Sequence, residues 1–105
     1  MQWASAARKR LEKVWQTARE APVIGVLLPS SGDAATYGES LESGIRLALS
    51  EARELEQVPD GLEVVWVDTQ SDPARAVQEY HRVINERGAK LVIGGATSAE
   101  AVALL

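Results

Sequence analysis

Polar and glycine-rich clusters follow each of three short apolar runs, and these clusters hold most of the side chains that could do chemistry. They are Ser30-Ser31-Gly32-Asp33, Asp68-Thr69-Gln70-Ser71-Asp72 and Gly94-Gly95-Ala96-Thr97-Ser98. The third is the most informative. Its two glycines clear side chains from the backbone, and Thr97 and Ser98 then set hydroxyls and N–H groups at the start of a helix, an arrangement that favours an anion such as a ligand carboxylate. Thr97-Ser98-Ala99-Glu100 also matches a capping box, so plain helix capping is the competing use of the same hydroxyls.

Enzymatic chemistry finds no comparable support. Asp68 and Asp72 lie near strand ends, as the carboxylates of a phosphoacceptor or metal site would. Asp72, however, is accounted for as a helix cap, and no acidic pair follows the first apolar run. His81, the only histidine, lies beside an apolar helical stripe with no triad arrangement. Gly94-Gly95 lacks the Lys-Ser/Thr of a phosphate-binding loop and the full dinucleotide spacing. The absence of cysteine excludes disulfides, thiolate metal sites and a cysteine nucleophile. The expectation is a chain that is not an enzyme and needs no metal or other cofactor. A net charge of -4 argues against nucleic acid as a partner, because phosphate binding needs clustered Lys and Arg.

The elements that position these clusters alternate between strand and helix. Val23-Ile24-Gly25-Val26-Leu27-Leu28 is a continuous apolar run, short enough for a strand buried on both faces. From about Ala35 a helix carries Leu41, Gly44, Ile45, Ala48, Ala52 and Leu55 along one side, with Gly44 expected to let it approach the sheet closely. Pro59-Asp60-Gly61 is a turn, and Leu62 to Val67 is β-rich. Asp72 caps the next helix with Pro73 in its first turn, where a missing N–H costs nothing. Val77, Tyr80 and Ile84 are its expected buried stripe, and Gly88 ends it in left-handed geometry. Leu91-Val92-Ile93 is the third strand, and a last helix runs toward Leu105. Strands and helices alternating at this spacing give an α/β fold with a parallel sheet and right-handed crossovers. In such sheets ligands bind outside the carboxyl ends of the strands, where the three clusters lie.

Residues 1–21 stand apart. Residues 1–20 hold five basic and two acidic side chains, leaving a net -7 on the rest of the chain. Trp3, Ala7, Leu11, Val14, Trp15 and Ala18 recur at helical spacing opposite a charged side, which reads as an amphipathic helix ending before Pro22. Packing on this domain or on a neighbouring copy is the plainer role for it, and a membrane surface the sharper one. The segment lacks the apolar middle of a signal peptide, and no run approaches the roughly 20 apolar residues that span a bilayer.

Three stretches together carry a family resemblance: Ile24-Gly25-Val26-Leu27-Leu28-Pro29-Ser30-Ser31-Gly32-Asp33-Ala34-Ala35-Thr36-Tyr37-Gly38, Asp68-Thr69-Gln70-Ser71-Asp72-Pro73-Ala74-Arg75-Ala76-Val77 and Val92-Ile93-Gly94-Gly95-Ala96-Thr97-Ser98-Ala99-Glu100-Ala101. In order and spacing, residues 22–105 resemble the leucine/isoleucine/valine-binding branch of the type I periplasmic binding proteins. The resemblance implies a three-layer, flavodoxin-like lobe with strand order 2-1-3, truncated after its third strand. It also implies a periplasmic or extracellular receptor that closes on an amino acid or similar small ligand and feeds an ABC permease or a sensor.

By position, Ser98 resembles the residue that binds the ligand's α-carboxylate or amino group, with Ala96 and Thr97 adding backbone beside it. Tyr37 resembles the aromatic lining the pocket wall, its plainer alternative being a surface aromatic over the first turn. Some relatives join the loops after the second and third strands by a disulfide, where this chain has Ser71 and Thr97. The second lobe and its hinge are not present in this sequence, so the expected open sheet edges make a homo-oligomer the natural state. An alternative use of the same fold is a structural, oligomerising module in which Ser98 merely caps.

Overall fold

The structure, a computed structural model, describes Ala7, Lys9, Arg10 and residues 22–105. Strand β1 (Val23–Leu28) has no polar alternation, as befits a strand covered on both faces, and it occupies the centre of the sheet. Strands β2 (Glu63–Asp68) and β3 (Leu91–Ile93) flank it, both parallel to it, in the order β2-β1-β3. The connections are helices α1 (Ala35–Glu54) and α2 (Pro73–Asn85), and α3 (Ser98–Leu104) follows β3. The parallel α/β sheet and its 2-1-3 order agree with the sequence reading. The amphipathic helix expected over residues 1–21 lies outside the described residues, except that Ala7, Lys9 and Arg10 are helical and exposed. Among the described residues no helix is long and apolar enough to cross a membrane.

Register sets the strand bounds. Val23 pairs with Glu63 and Leu28 with Asp68, so β2 starts and ends one residue later than its composition suggests. The ladder continues before β1 and after β2: Glu63 N–H donates to Pro22 O at 2.9 Å, and Thr69 N–H to Leu28 O at 3.0 Å. This one-residue difference brings Asp68 to the rim where the loops leave the sheet.

On one face of the sheet Val23, Leu27 and Val65 pack with Val83 and Ala89 to form the core, and Val67, Tyr80, Ile84 and Val92 close around them. Gly25 makes this fit possible, since a Cβ there would stand 3.0 Å from Val83 Cγ2. The buried line of α2 is therefore Ala76, Glu79 and Val83, while Val77, Tyr80 and Ile84 are half-buried flanks. Glu79 tolerates burial because Arg75 and Arg82 meet it from the neighbouring turns at 3.3 and 2.6 Å. As expected, Asp72 caps α2 through Ala74 N–H at 2.9 Å with Pro73 following it, and Gly88 is left-handed at φ +70°. His81 is exposed, its ring edge-on to Tyr80.

Helix α1 covers the opposite face more loosely. Gly44, expected to bring it close, is exposed and has nothing within 4 Å of where its Cβ would be. The close approach is at Gly38, the only buried residue of α1, where a Cβ would fall 1.9 Å from Pro29 O. This contact rotates the helix so that Leu41, Ile45, Leu49 and Ala52 face inward, while Ala48 and Leu55 turn out to solvent. Farther along, the Arg46 guanidinium lies over the Trp66 ring of β2 at 4.0 Å.

Candidate functional site

Because the three strands are parallel, the segments leaving their carboxyl ends reach one rim. Tyr37 stands there in the first turn of α1, 54% exposed. Across β1, the segment after β3 begins with Gly94, whose Cβ would touch Leu27 at 3.3 Å, and Gly95, left-handed at φ +72° and close against Ala101. Ala96 and Thr97 are half-buried, and Ser98 is exposed at the first position of α3.

The two hydroxyls of this loop have different tasks. Thr97 Oγ1 accepts the Glu100 N–H at 3.2 Å and donates to Glu100 Oε2 at 3.1 Å, which makes Thr97 the cap. Glu100 itself is buried beneath the turn. Ser98 is not the cap, so the reading in which its hydroxyl serves only to start the helix does not fit this geometry. The hydroxyl is left facing solvent at the rim.

The loops after β1 and β2 are bound into one another by side chains of the first two polar clusters. Asp68 Oδ1 accepts the N–H groups of Ser30 at 2.8 Å, Ser31 at 3.2 Å and Gln70 at 2.8 Å, while Oδ2 accepts the Ser31 hydroxyl at 2.7 Å. Ser71 donates its hydroxyl to Ser31 O at 2.7 Å and accepts the Ala34 N–H at 3.0 Å. Asp68 thus belongs to a closed network of neutral donors, with no need of a metal or phosphoryl group to explain it. The available signal in the sequence was Ala34, which precedes α1 and has no side chain able to cap it.

Partial burial alone raises the Asp68 pKa, but the Ser31 hydroxyl and the N–H groups of Gln70, Ser30 and Ser31 together outweigh it and hold the carboxyl below its ordinary value of 3.8. A carboxyl depressed by folding stabilises the fold fully above its unfolded pKa, and that contribution vanishes as pH falls through the lower folded value. Urea unfolding from about pH 5 down to pH 2 is therefore expected to show a larger loss of stability in the wild type than in Asp68→Asn. Equal slopes for the two proteins over that window would contradict the network.

Comparison with known families matches a periplasmic binding protein profile across residues 22–105. The chain belongs to this family. Comparison with curated proteins finds no match. Among solved periplasmic binding proteins, the chain is similar to the branched-chain amino acid transporter substrate-binding protein LivJ of Streptococcus pneumoniae, determined with isoleucine. That match has 28% identity and a TM-score of 0.72 over 80% of this chain and 24% of LivJ. It is similar also to the leucine-binding protein LivK of Thermotoga maritima, at 27% identity and a TM-score of 0.71 over 80% and 23%. A solute binding protein of R. palustris, solved with benzoate, is 30% identical with a TM-score of 0.66, over 80% and 23%. The chain spans about a quarter of the length of these relatives.

Proposed function

We propose that residues 22–105 supply the opening part of one lobe of a solute receptor for amino acids or similarly small carboxylates. The receptor serves an ABC importer or a sensor on the periplasmic or extracellular side. In this reading the Ser98 hydroxyl, with the backbone of Ala96 and Thr97, takes the ligand's carboxylate or amino group, and Tyr37 lines the wall beside the ligand's side chain. No step of bond-making is assigned to the chain.

The observation that carries the reading is the division of labour at Thr97-Ser98. With Thr97 committed to the cap, the exposed Ser98 hydroxyl remains at the start of the helix that follows β3, the strand adjoining the one that leads to Tyr37. The relatives solved with isoleucine and with benzoate lend support, since both of those molecules carry a carboxylate.

Calorimetric titration of the 105-residue chain with leucine, isoleucine and valine tests it. One of the three is expected to give heat at millimolar concentration, and Ser98→Ala to weaken it roughly tenfold or more, the loss typical of one hydrogen bond to a charged group. Silence from the wild type at millimolar ligand would favour the second reading, in which the fold serves as an assembly surface. That reading draws on β3, where Leu91 and Ile93 are 56% and 39% exposed on the same sheet face. Light scattering on the same sample separates an assembling chain from a monomer.

A further inference from the structure

Helix α1 begins without a cap of its own. Ala34 occupies the capping position and makes no side-chain hydrogen bond. Its N–H is met instead by Ser71 Oγ at 3.0 Å, from the far side of the β2 crossover, and the same hydroxyl reaches back to Ser31 O at 2.7 Å. To present that hydroxyl, Gln70 and Ser71 both take left-handed backbone, with φ of 59° and 57°, a conformation that residues bearing a Cβ resist. Facing them, Gly32 at φ +84° is packed so closely that a Cβ would sit 2.7 Å from Gln70 O and 2.9 Å from Ser71 Oγ. Asp68 completes the tie through its four bonds to Ser30, Ser31 and Gln70.

At Ala34 the backbone, with φ of -100° and ψ of 15°, is not the extended geometry from which a side chain caps its own helix. The arrangement present does something a local cap does not: it fixes the start of α1 relative to the end of β2. We infer that Asp68 and Ser71 are positioning residues for ligand binding, tying the loops after β1 and β2 into one body and thereby holding Tyr37 at a fixed place on the rim. This rests on the binding role proposed above. Neither residue is assigned a contact with ligand; both act through the turn at residues 30–34 and the two residues, Ala35 and Thr36, that lead from it to Tyr37.

The discriminating experiment separates helix stability from loop placement. Ser71→Ala removes the tie, and adding Gly44→Ala, whose methyl meets open space in the middle of α1, restores stability to the helix without restoring the tie. With isoleucine, leucine and valine as probes in calorimetry, Ser71→Ala is expected to lower affinity roughly tenfold, as losing two ordinary hydrogen bonds from a preorganised loop would. The double variant should regain the thermal midpoint while its affinity stays low. Recovery of affinity together with the midpoint, or no change in affinity in Ser71→Ala, overturns the proposal.

Amide exchange in the absence of ligand provides the second measurement. The N–H groups of Ser30 and Ser31 are expected to exchange slowly in the wild type and at least tenfold faster in Asp68→Ala. Fast exchange in the wild type overturns the tie itself. Slow exchange combined with no heat from any of the three amino acids overturns the binding reading, and the positioning role with it, while leaving the tie standing.

Discussion

Gly38→Ala is expected to lower the thermal midpoint of the domain by roughly 10 °C. The added methyl would lie 1.9 Å from Pro29 O, well inside contact, and neither partner can yield cheaply. Pro29 is buried, continuous with the central strand, and Gly38 is inside the second turn of α1. Relief requires the helix to lift from the sheet. Overpacking of this kind costs about 1 to 3 kcal/mol, and a domain of 60 to 100 residues loses roughly 4 to 8 °C for each kcal/mol. The same substitution at Gly44 should act in the opposite direction. There the methyl meets open space in the middle of a helix, and the gain in helix propensity of about 1 kcal/mol should raise the midpoint by roughly 5 °C. Thermal unfolding followed by circular dichroism reads both. Equal effects at the two positions would place the contact between helix and sheet somewhere other than Gly38.

Leu27→Ala should cost more. Leu27 is 1% exposed near the carboxyl end of β1, within the cluster formed with Val23, Val65, Val83 and Ala89. Removing it deletes three heavy atoms and leaves a void that the sheet has little freedom to close, because the backbone is paired with Val67 on one side and packed closely by Gly94 on the other. Buried leucine to alanine changes cost about 2 to 5 kcal/mol, a large share of the 5 to 15 kcal/mol that holds a typical domain folded. Guanidinium unfolding is expected to show a midpoint displaced to much lower denaturant at an unchanged slope. A loss below about 1 kcal/mol would mean that α2 settles into the vacated space, and that the core is softer than its burial implies.

Much of the fold was legible from local pattern. β1 and β3 have the bounds their apolar runs announce, and the starts of α2 and α3 follow from Asp72-Pro73 and Thr97. Each of these signals lies within a few residues of the feature it marks. The rotations of α1 and α2 were not legible, and the reasons differ. Leucines occur on several sides of α1, so periodicity alone leaves its facing undecided until Gly38 meets Pro29. In α2 the buried line runs through Ala76 and Glu79, an indifferent residue and a charged one, and becomes acceptable only because Arg75 and Arg82 flank the carboxylate.

The rim was legible in part. Ser98, Tyr37 and the glycines before Thr97 were identified by their place in the chain, and the structure brings their segments to the same end of adjacent strands. The roles of Asp68 and Ser71 depend on register, which sets Asp68 opposite Leu28 and so beside the backbone of Ser30 and Ser31. No short-range pattern encodes a partnership between residues separated by almost forty positions.

The two sides of the sheet are dressed unequally, and that governs how the domain gives way under stress. Beneath α2, buried Ala76 and Val83 and the paired carboxylate of Glu79 act as rivets, whereas α1 is seated by one buried glycine, a row of half-buried side chains and a guanidinium resting on an indole. Mild denaturant should therefore peel α1 off first, baring Val26 and Leu28 to water while the half under α2 stays shut. A protease or a chaperone patrolling for loosened chains would meet the molecule from that side.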